Sequence, residues 1–599
     1  MTADRLPPAP HPTPRSRRTF LTLAALTAGA PVLGACRGGV GGGGASAGSS
    51  GGASASAGGS GGGAPSDPLA WQDLDGHVMG HHVTARVSPL VRVDDQTMLL
   101  VVELTRAADD AAVTDVRDSG SSSSSAQENE IGLTYYLGDF PSRAGASFTH
   151  LIDPDGMRVL RPFSASGKLL EVGPGETVAS NLAFSSTGLD QLDHVTVYVP
   201  QTGFTVVGVI DRADANSAGI DPQTLEDLDQ ALAERRASAT PSPSADDTGA
   251  QGPAAGPVPI ERYTRTLNGS ASTHTTNKDV TVTLASDVTF DPDSYNLSDK
   301  ADAQLQTVAD QIAQYPDGGS LDIVGHTDDV ADDAHNQKLS ENRAGAVKDR
   351  LGQLADLAKW KVSTTGKGES EPAVNDTTDE ARAANRRVVI TITPTGGAAS
   401  STAPSATPSF APSAAPSSSA PGGTALPEPQ GQVGKGPDGV TAVYPSIGSF
   451  DSSEQVTITL PQVVRAGGLL FGRLSVTVGP RGADDNSVLS DWFDDDEFLL
   501  SNARGEDGSL VATIGAVNGL TLLAGGERVF PADYLDGDRQ VHLPLSECNL
   551  FKSLKEGAVT TVCAVWPDTG QETVTLDHQA YKDDPWHAFR LTDIPVVSA

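Results

Sequence analysis

Positive charge is scarce in this chain of 599 residues: Lys and Arg number 41 against 76 Asp and Glu, so 41 − 76 gives a formal net charge of −35. A nucleic-acid partner or a polybasic membrane contact needs a basic face, and this balance excludes both. Aromatic residues reach only 5%, since much of the length is spent on linkers. Cysteine is almost absent, at Cys36, Cys548 and Cys563 alone. No structural zinc site can be built from so few thiols without histidine, and no metal is assigned. The apolar run from Phe20 to Leu33 is too short for an ordinary membrane-spanning helix. His-Glu-x-x-His is missing, and no stretch that reads as folded carries a Gly-x-Ser-x-Gly elbow. The acid run Asp494-Asp495-Asp496 reads as a solvated loop rather than a general acid and base.

What is present begins with small residues. Residues 36–67 are almost wholly Gly, Ala and Ser, a composition that cannot bury a core and acts as a flexible tether. Pro-rich breaks follow at 237–258 and 395–433 and are expected to be stiffer. Ahead of the tether, Ser16-Arg17-Arg18-Thr19-Phe20-Leu21 resembles a twin-arginine export signal, and Leu33-Gly34-Ala35-Cys36 resembles a lipoprotein cleavage box. Together they imply a signal peptide at 1–35 and a lipid on Cys36, hence an extracytoplasmic, membrane-anchored protein. A plain anchor helix with an incidental cysteine is the alternative. Outside the cytoplasm, the remaining Cys548 and Cys563 are expected to form a disulfide, worth roughly 3 kcal/mol.

The breaks delimit three folded stretches. In 68–236, runs such as Met98 to Val102 and Val195 to Val199 read as strands separated by turns such as Asp153-Pro154-Asp155-Gly156. A β-sandwich-like module closed by a helix from Pro222 is expected, with Leu225, Leu228 and Leu232 on its apolar face. Residues 434–599 read as a second β-sandwich-like module. Arg158-Val159-Leu160 resembles Arg528-Val529-Phe530, which either marks a distant duplication or reflects similar strands reusing similar residues. His77, His81 and His82 read as a solvent-facing histidine patch rather than a metal site. The whole is a multidomain, mainly β chain around an α+β centre.

That centre, 259–394, alternates strand and helix patterns. Val280, Val282 and Leu284 alternate as one face of a strand. Leu305, Val308 and Ile312 line a helix over 298–315 with Ser298 as its N-cap. Leu321 to Val324 form a second strand, and a second helix, expected to begin after Ser340, carries Val347, Leu351 and Leu354. A strand at Lys361, a short helix at 378–384 and a final strand from Val388 complete helices packed on a small mixed sheet.

Within it stand Phe290-Asp291, Gly325-His326-Thr327-Asp328, Asn336, Leu339-Ser340-Glu341-Asn342-Arg343-Ala344, Gly366-Lys367-Gly368-Glu369 and Asn385-Arg386-Arg387-Val388. Their order, with 8 residues from Asp328 to Asn336 and 15 from Asp328 to Arg343, resembles the OmpA-like peptidoglycan-binding family. The resemblance implies a non-covalent cell-wall partner, gripped at the diaminopimelate of its stem peptide. Asp328 would take the ammonium and Arg343 clamp the carboxylate, with Thr327, Asn336 and Asp291 lining the same pocket. Arg343 is expected in the first turn of its helix, where free N–H groups also favour an anion. Asp328 and Arg343 as a plain salt bridge is the alternative on spacing alone. Of Arg386 and Arg387, one is expected to brace the site or pair with acidic neighbours. Two departures stand out: Ala331 replaces a usual glycine, and the 328–333 loop is unusually acidic. No cofactor is implied. A non-catalytic link between membrane and wall follows, with the β modules as spacers or contacts for other envelope proteins. The rival is a wall-modifying hydrolase delivered by the central domain.

Overall fold

The computed structural model describes residues 67–110, 131–133, 137, 146–165, 170–189, 192–238, 256–291, 293–398, 426–445, 453–482, 489–493, 517–537, 540–546, 550, 554–579 and 586–598. The export signal, Cys36, the glycine tether, Asp494 to Asp496 and Cys548 lie outside these residues. The described chain is mostly β. Among the described residues no helix is long and apolar enough to cross a membrane.

The flanking stretches are built mainly from antiparallel strands, with parallel pairs between Leu90–Arg92 and Gly203–Asp211 and between Phe589–Ser598 and both Gln432–Lys435 and Val463–Ala466. Gln72–Val78 and His81–Val87 form a hairpin, and His81–Val87 then pairs with Thr97–Arg106, which pairs with Thr177–Ser185. In the carboxy-terminal stretch, Leu469–Arg481 pairs with both Glu454–Thr459 and Val559–Pro567. Two separate sandwiches are not confirmed. Buried side chains of both stretches, Val83 and Leu104 with Leu474 and Trp566 among them, belong to one continuous apolar cluster. Thr560 ties them further: its hydroxyl accepts from the Met79 N–H at 3.1 Å and donates to the His77 carbonyl at 3.0 Å. The amino-terminal helix is where its leucine spacing put it, Pro222–Ser238, with Leu225 and Leu228 packed over Val91, Leu99 and Val101.

Three sequence-level expectations need correction here. Cys563 carries a free thiol, so the bridge to Cys548 is not formed. Its strand Val559–Pro567 turns it into an apolar cluster with Phe471 and Val565, and burial pushes the thiol up to about 12. Nor are the three histidines a solvent patch. His81 is buried and its ring bonds Asp110 at 2.9 Å, while only His77 and His82 remain partly exposed, their rings stacked at 5.0 Å. The third concerns a helix start and bears on the site below.

The central domain, whose elements alone are numbered here, runs β1 (Arg262–Thr266), β2 (Ala271–Thr275), β3 (Val280–Ala285), α1 (Ser286–Thr289), α2 (Ala301–Ala313), β4 (Gly319–Gly325), α3 (Asp333–Leu354), β5 (Trp360–Gly366), α4 (Asp379–Asn385) and β6 (Arg387–Pro394). The sheet order is β5-β4-β6-β3-β2-β1. Only β4 and β5 run parallel, because α3 carries the chain back between them. Alternate residues Val280, Val282 and Leu284 on β3, Leu321 and Ile323 on β4, and Val388, Ile390 and Ile392 on β6 are buried under Leu305, Val308 and Ile312 of α2 and Val347 and Leu351 of α3. Each such side chain contributes roughly 1.5–3 kcal/mol of burial.

Close approach sets the site. A Cβ on Gly325 would lie 2.2 Å from the Ser340 carbonyl, and one on Gly366 would lie 2.5 Å from the Ser340 hydroxyl. Glycine at both strand ends therefore lets α3 rest directly on β4 and β5. The far edge is not free either: β1 pairs antiparallel with Glu527–Val529, so the sheet continues into the carboxy-terminal stretch. The preceding Val258–Pro259 pairs with Arg158–Leu160. The two Arg-Val segments that resemble one another in sequence thus receive the same entry chain.

Candidate functional site

A cleft of about 720 Å³ opens at the end of β4, between the loop that follows it, the start of α3 and the loop after α1. Thr327, Asp328, Asn336, Arg343 and Asp291 all line it. They are spread over 53 positions of sequence, from 291 to 343, and the fold brings them to one surface.

The helix beneath the cleft starts earlier than its apolar stripe suggests. Asp332 is the N-cap, its carboxylate accepting from the His335 N–H at 3.0 Å, and α3 runs from Asp333. Arg343 therefore sits well inside the helix, and the free N–H groups of the first turn belong to the Asp332 end of the cleft. An N-cap aspartate inside a run of aspartates is hard to single out by eye. The helix before it also starts later than expected: α2 follows Lys300, and Ser298 lies two residues further out, its hydroxyl accepting from the Lys300 N–H.

Arg343 is buried, with 4% of its surface exposed. Its Nε donates to the Ser294 carbonyl at 3.0 Å, and the guanidinium lies 5.2 Å from the Phe290 ring centroid. Among the described ion pairs none involves Arg343. Burial pulls its pKa down, with Asp287 and Asp293 pulling the other way. Arginine stays charged through such a shift, so the cleft holds a cation with no described carboxylate partner.

Asp328 is treated differently. Its carboxylate accepts from Arg386 Nη1 at 2.7 Å, and Arg386 also grips Asp287 through Nε and Nη2, both at 2.7 Å. Those bonds, Asp287 first, hold the Arg386 guanidinium above its ordinary pKa. Arg386 thus braces Asp328 from the side. Asp287 was not singled out from the sequence, and no motif there marks it. The plain Asp328–Arg343 salt bridge is absent among the described ion pairs.

Asn336 is committed to shaping the loop. Its amide nitrogen lies 3.1 Å from the Asp328 carbonyl, 3.2 Å from that of Ala331 and 2.6 Å from Glu369 Oε2. Thr327 is buried and its hydroxyl finds no partner among the described residues, an expensive arrangement unless something fills it. Ala331 does not enter the left-handed region, so replacing glycine there carries no backbone strain. Of the extra acids, Asp329 pairs with Arg382 at 2.8 Å and Asp332 caps α3. Asp291 is exposed at the cleft mouth. His326, next to Thr327, is buried with Nδ1 unpartnered, and burial followed by the charge of Arg387 pushes its pKa down to about 4.

The cleft therefore presents a carboxylate-rich rim and one buried guanidinium, a pattern suited to a small group bearing both charges. Residues 289–386 match the model described as the OmpA family, so the chain contains an OmpA family domain. Outer membrane porin F of Pseudomonas aeruginosa is 44% identical over 102 residues, 17% of this chain and 29% of that protein. Outer membrane protein A of Escherichia coli O157:H7 is 38% identical over 104 residues, again 17% of this chain and 29% of the relative. The chain thus spans less than a third of either relative. A solved structure of the type VI secretion cell wall anchor from Pseudomonas aeruginosa aligns over 21% of this chain and 89% of its own, at 27% identity and a TM-score of 0.19.

Proposed function

We propose that this protein is a non-catalytic cell-envelope lipoprotein whose central domain binds peptidoglycan through the diaminopimelate of the stem peptide. The observation that carries the reading is the shared cleft: Asp328 on one wall, Arg343 without a described carboxylate partner on another. A diaminopimelate head group carries an ammonium and a carboxylate on one carbon. The ammonium would go to Asp328, already oriented by Arg386. The carboxylate would take the terminal nitrogens of Arg343, whose Nε is spent on Ser294. The Thr327 hydroxyl would complete the ligand's shell. The OmpA family match over the same residues and the 44% identical relative support this reading.

In this reading Cys36 carries a lipid that holds the chain to membrane, and residues 36–67 give it reach. The β-rich flanks act as sandwich-like spacers or as contacts for other envelope proteins. The test is co-sedimentation of the full chain with purified sacculi. Wild type should pellet with the wall while releasing no soluble muropeptides, and free diaminopimelate should compete it off. Muropeptides in the supernatant would turn the assignment to a wall hydrolase. Failure to pellet would remove the wall-binding role.

A further inference from the structure

At the junction between the central domain and the carboxy-terminal stretch lies a cluster that the cleft does not use. Glu261 precedes β1, His274 lies on β2, and His542 lies on the strand Val541–Pro544. The three come from segments up to 281 positions apart. His274 Nε2 is 2.6 Å and His542 Nε2 is 2.9 Å from the same oxygen, Oε2 of Glu261. The donor atoms of all three residues lie within 4.8 Å of one another. Two imidazoles therefore aim the same ring nitrogen at one point from rings nearly perpendicular, at 82°.

The backbone around this point is stiffly held. Glu261 exchanges main-chain hydrogen bonds with Asp533, at 2.8 and 3.2 Å, and Asp533–Asp536 pairs with the strand of His542. Tyr263 sits directly across the β1–β2 pair from His274. The side chains of Glu261, His274 and His542 are 13, 26 and 11% exposed, so the cluster is sheltered yet reachable. Burial alone would raise the Glu261 carboxyl, but the bonds from both histidines outweigh it and hold it well below the usual carboxylate range.

We propose that Glu261, His274 and His542 form a binding site for a zinc-class divalent metal that clamps the first strands of the central domain to the carboxy-terminal β structure. Two imidazoles and one carboxylate are donors that such a metal prefers, and a hard cation such as calcium would not choose them. Zinc bonds of about 2.0–2.2 Å at tetrahedral angles separate ligands by roughly 3.3 Å. The present separations are shorter, so the carboxylate retreats by about half an ångström as the metal replaces its two N–H donors. Each imidazole then offers its Nε2 lone pair, the Nε2 proton moving to Nδ1 through solvent in a neutral ring or being released to water from a charged one. Three protein ligands leave one position for water.

The experiment is zinc titration of the full chain, purified without a histidine tag and stripped with chelator, against a chromophoric competitor. One zinc per chain should bind with a dissociation constant below about 1 µM. His274→Gln and His542→Gln should each weaken it by at least about 100-fold, while His82→Gln at the other histidine cluster leaves it unchanged. Zinc should also slow amide exchange across β1 in wild type. Absence of uptake at 100-fold excess zinc, or uptake equal in all three variants, overturns the site. Uptake lost in the triad variants without slower exchange in β1 overturns the clamp. Retained far-UV circular dichroism separates loss of ligand from loss of fold.

Discussion

The cleft, at the end of β4, and the junction, at β1 and β2, solve the same electrostatic problem in opposite ways. Both bring carboxylates and nitrogen donors together in partly dry surroundings. At the junction the carboxylate is saturated by two imidazoles from different parts of the chain. At the cleft Arg343 stays without a described carboxylate, although Asp287, Asp293 and Asp328 are near enough to act on it. A saturated cluster holds elements in place, whereas a buried cation without a described carboxylate partner beside an open cavity is the arrangement that the proposed ligand would complete. The contrast separates positioning from recognition better than charge counts do, since both places are rich in acid.

The comparison breaks most sharply at Arg343. Arg343→Ala should abolish sedimentation with sacculi, an affinity loss of at least 30-fold by the order of about 2–5 kcal/mol expected for a buried charge partner. Arg343→Lys should recover little, because an ammonium cannot reproduce the planar fork. Asp328→Ala should be nearly as severe, and Asn336→Ala should act through the loop, weakening binding while raising mobility at Ala331. Equal sedimentation of wild type and both charge variants would remove the cleft from wall binding.

A second consequence concerns pH. His326 lies buried beside Thr327 with its pKa at about 4, against about 6.5 in an unfolded chain. Between those values the unfolded state binds the additional proton, so stability falls as pH drops from 6.5 towards 4. The shift corresponds to about 3 kcal/mol at most. Denaturant midpoints of wild type should decline over that window more steeply than those of His326→Gln. Parallel curves would mean that the imidazole is solvated.

How far could this contrast be read from the residues alone? The central domain was legible because its elements carry strong periodicity. The alternation of Val280, Val282 and Leu284 and the stripe Leu305, Val308 and Ile312 need no partner to be seen. Thr327, Asp328, Asn336 and Arg343 were legible as an ordered motif. Asp287 and Ser294 were not, since what places them is the turn after β3 and a carbonyl, which leaves no side-chain signature. The start of α3 was obscured by the crowd of aspartates from Asp328 to Asp333. The junction was invisible for a plainer reason. Glu261 and His542 become neighbours only when Glu261 bridges Asp533, whose strand pairs with that of His542, a contact between regions that read as separate.

Glu261 offers a smaller effect, in the opposite pH window from most histidine switches. Its carboxyl lies below the usual range when folded, because hydrogen bonds from His274 and His542 overcome the burial that would raise it. Its contribution is therefore complete above the unfolded value near 4.5 and is lost as pH falls below it. In metal-free protein Glu261→Gln should cost about 1–3 kcal/mol at neutral pH, the range for a charge-assisted bond with a buried partner. The gap to wild type should close in acid. A gap that does not narrow at all between pH 4.5 and pH 3 would place the cost in packing rather than charge.

The smallest effect tests the thiol. Cys563 lies with Phe471 and Val565 in a dry cluster, and a thiol pushed up to about 12 is almost wholly protonated at neutral pH. Thiolate is the reactive form, so a maleimide should label Cys563 only after unfolding, while reductant should leave the melting temperature unchanged. Cys563→Ala should cost on the order of 1 kcal/mol through a small cavity. A melting temperature several degrees lower in reductant would instead restore the bridge to Cys548. It would also make the carboxy-terminal strand, rather than the junction, the place where covalent chemistry secures this half of the molecule.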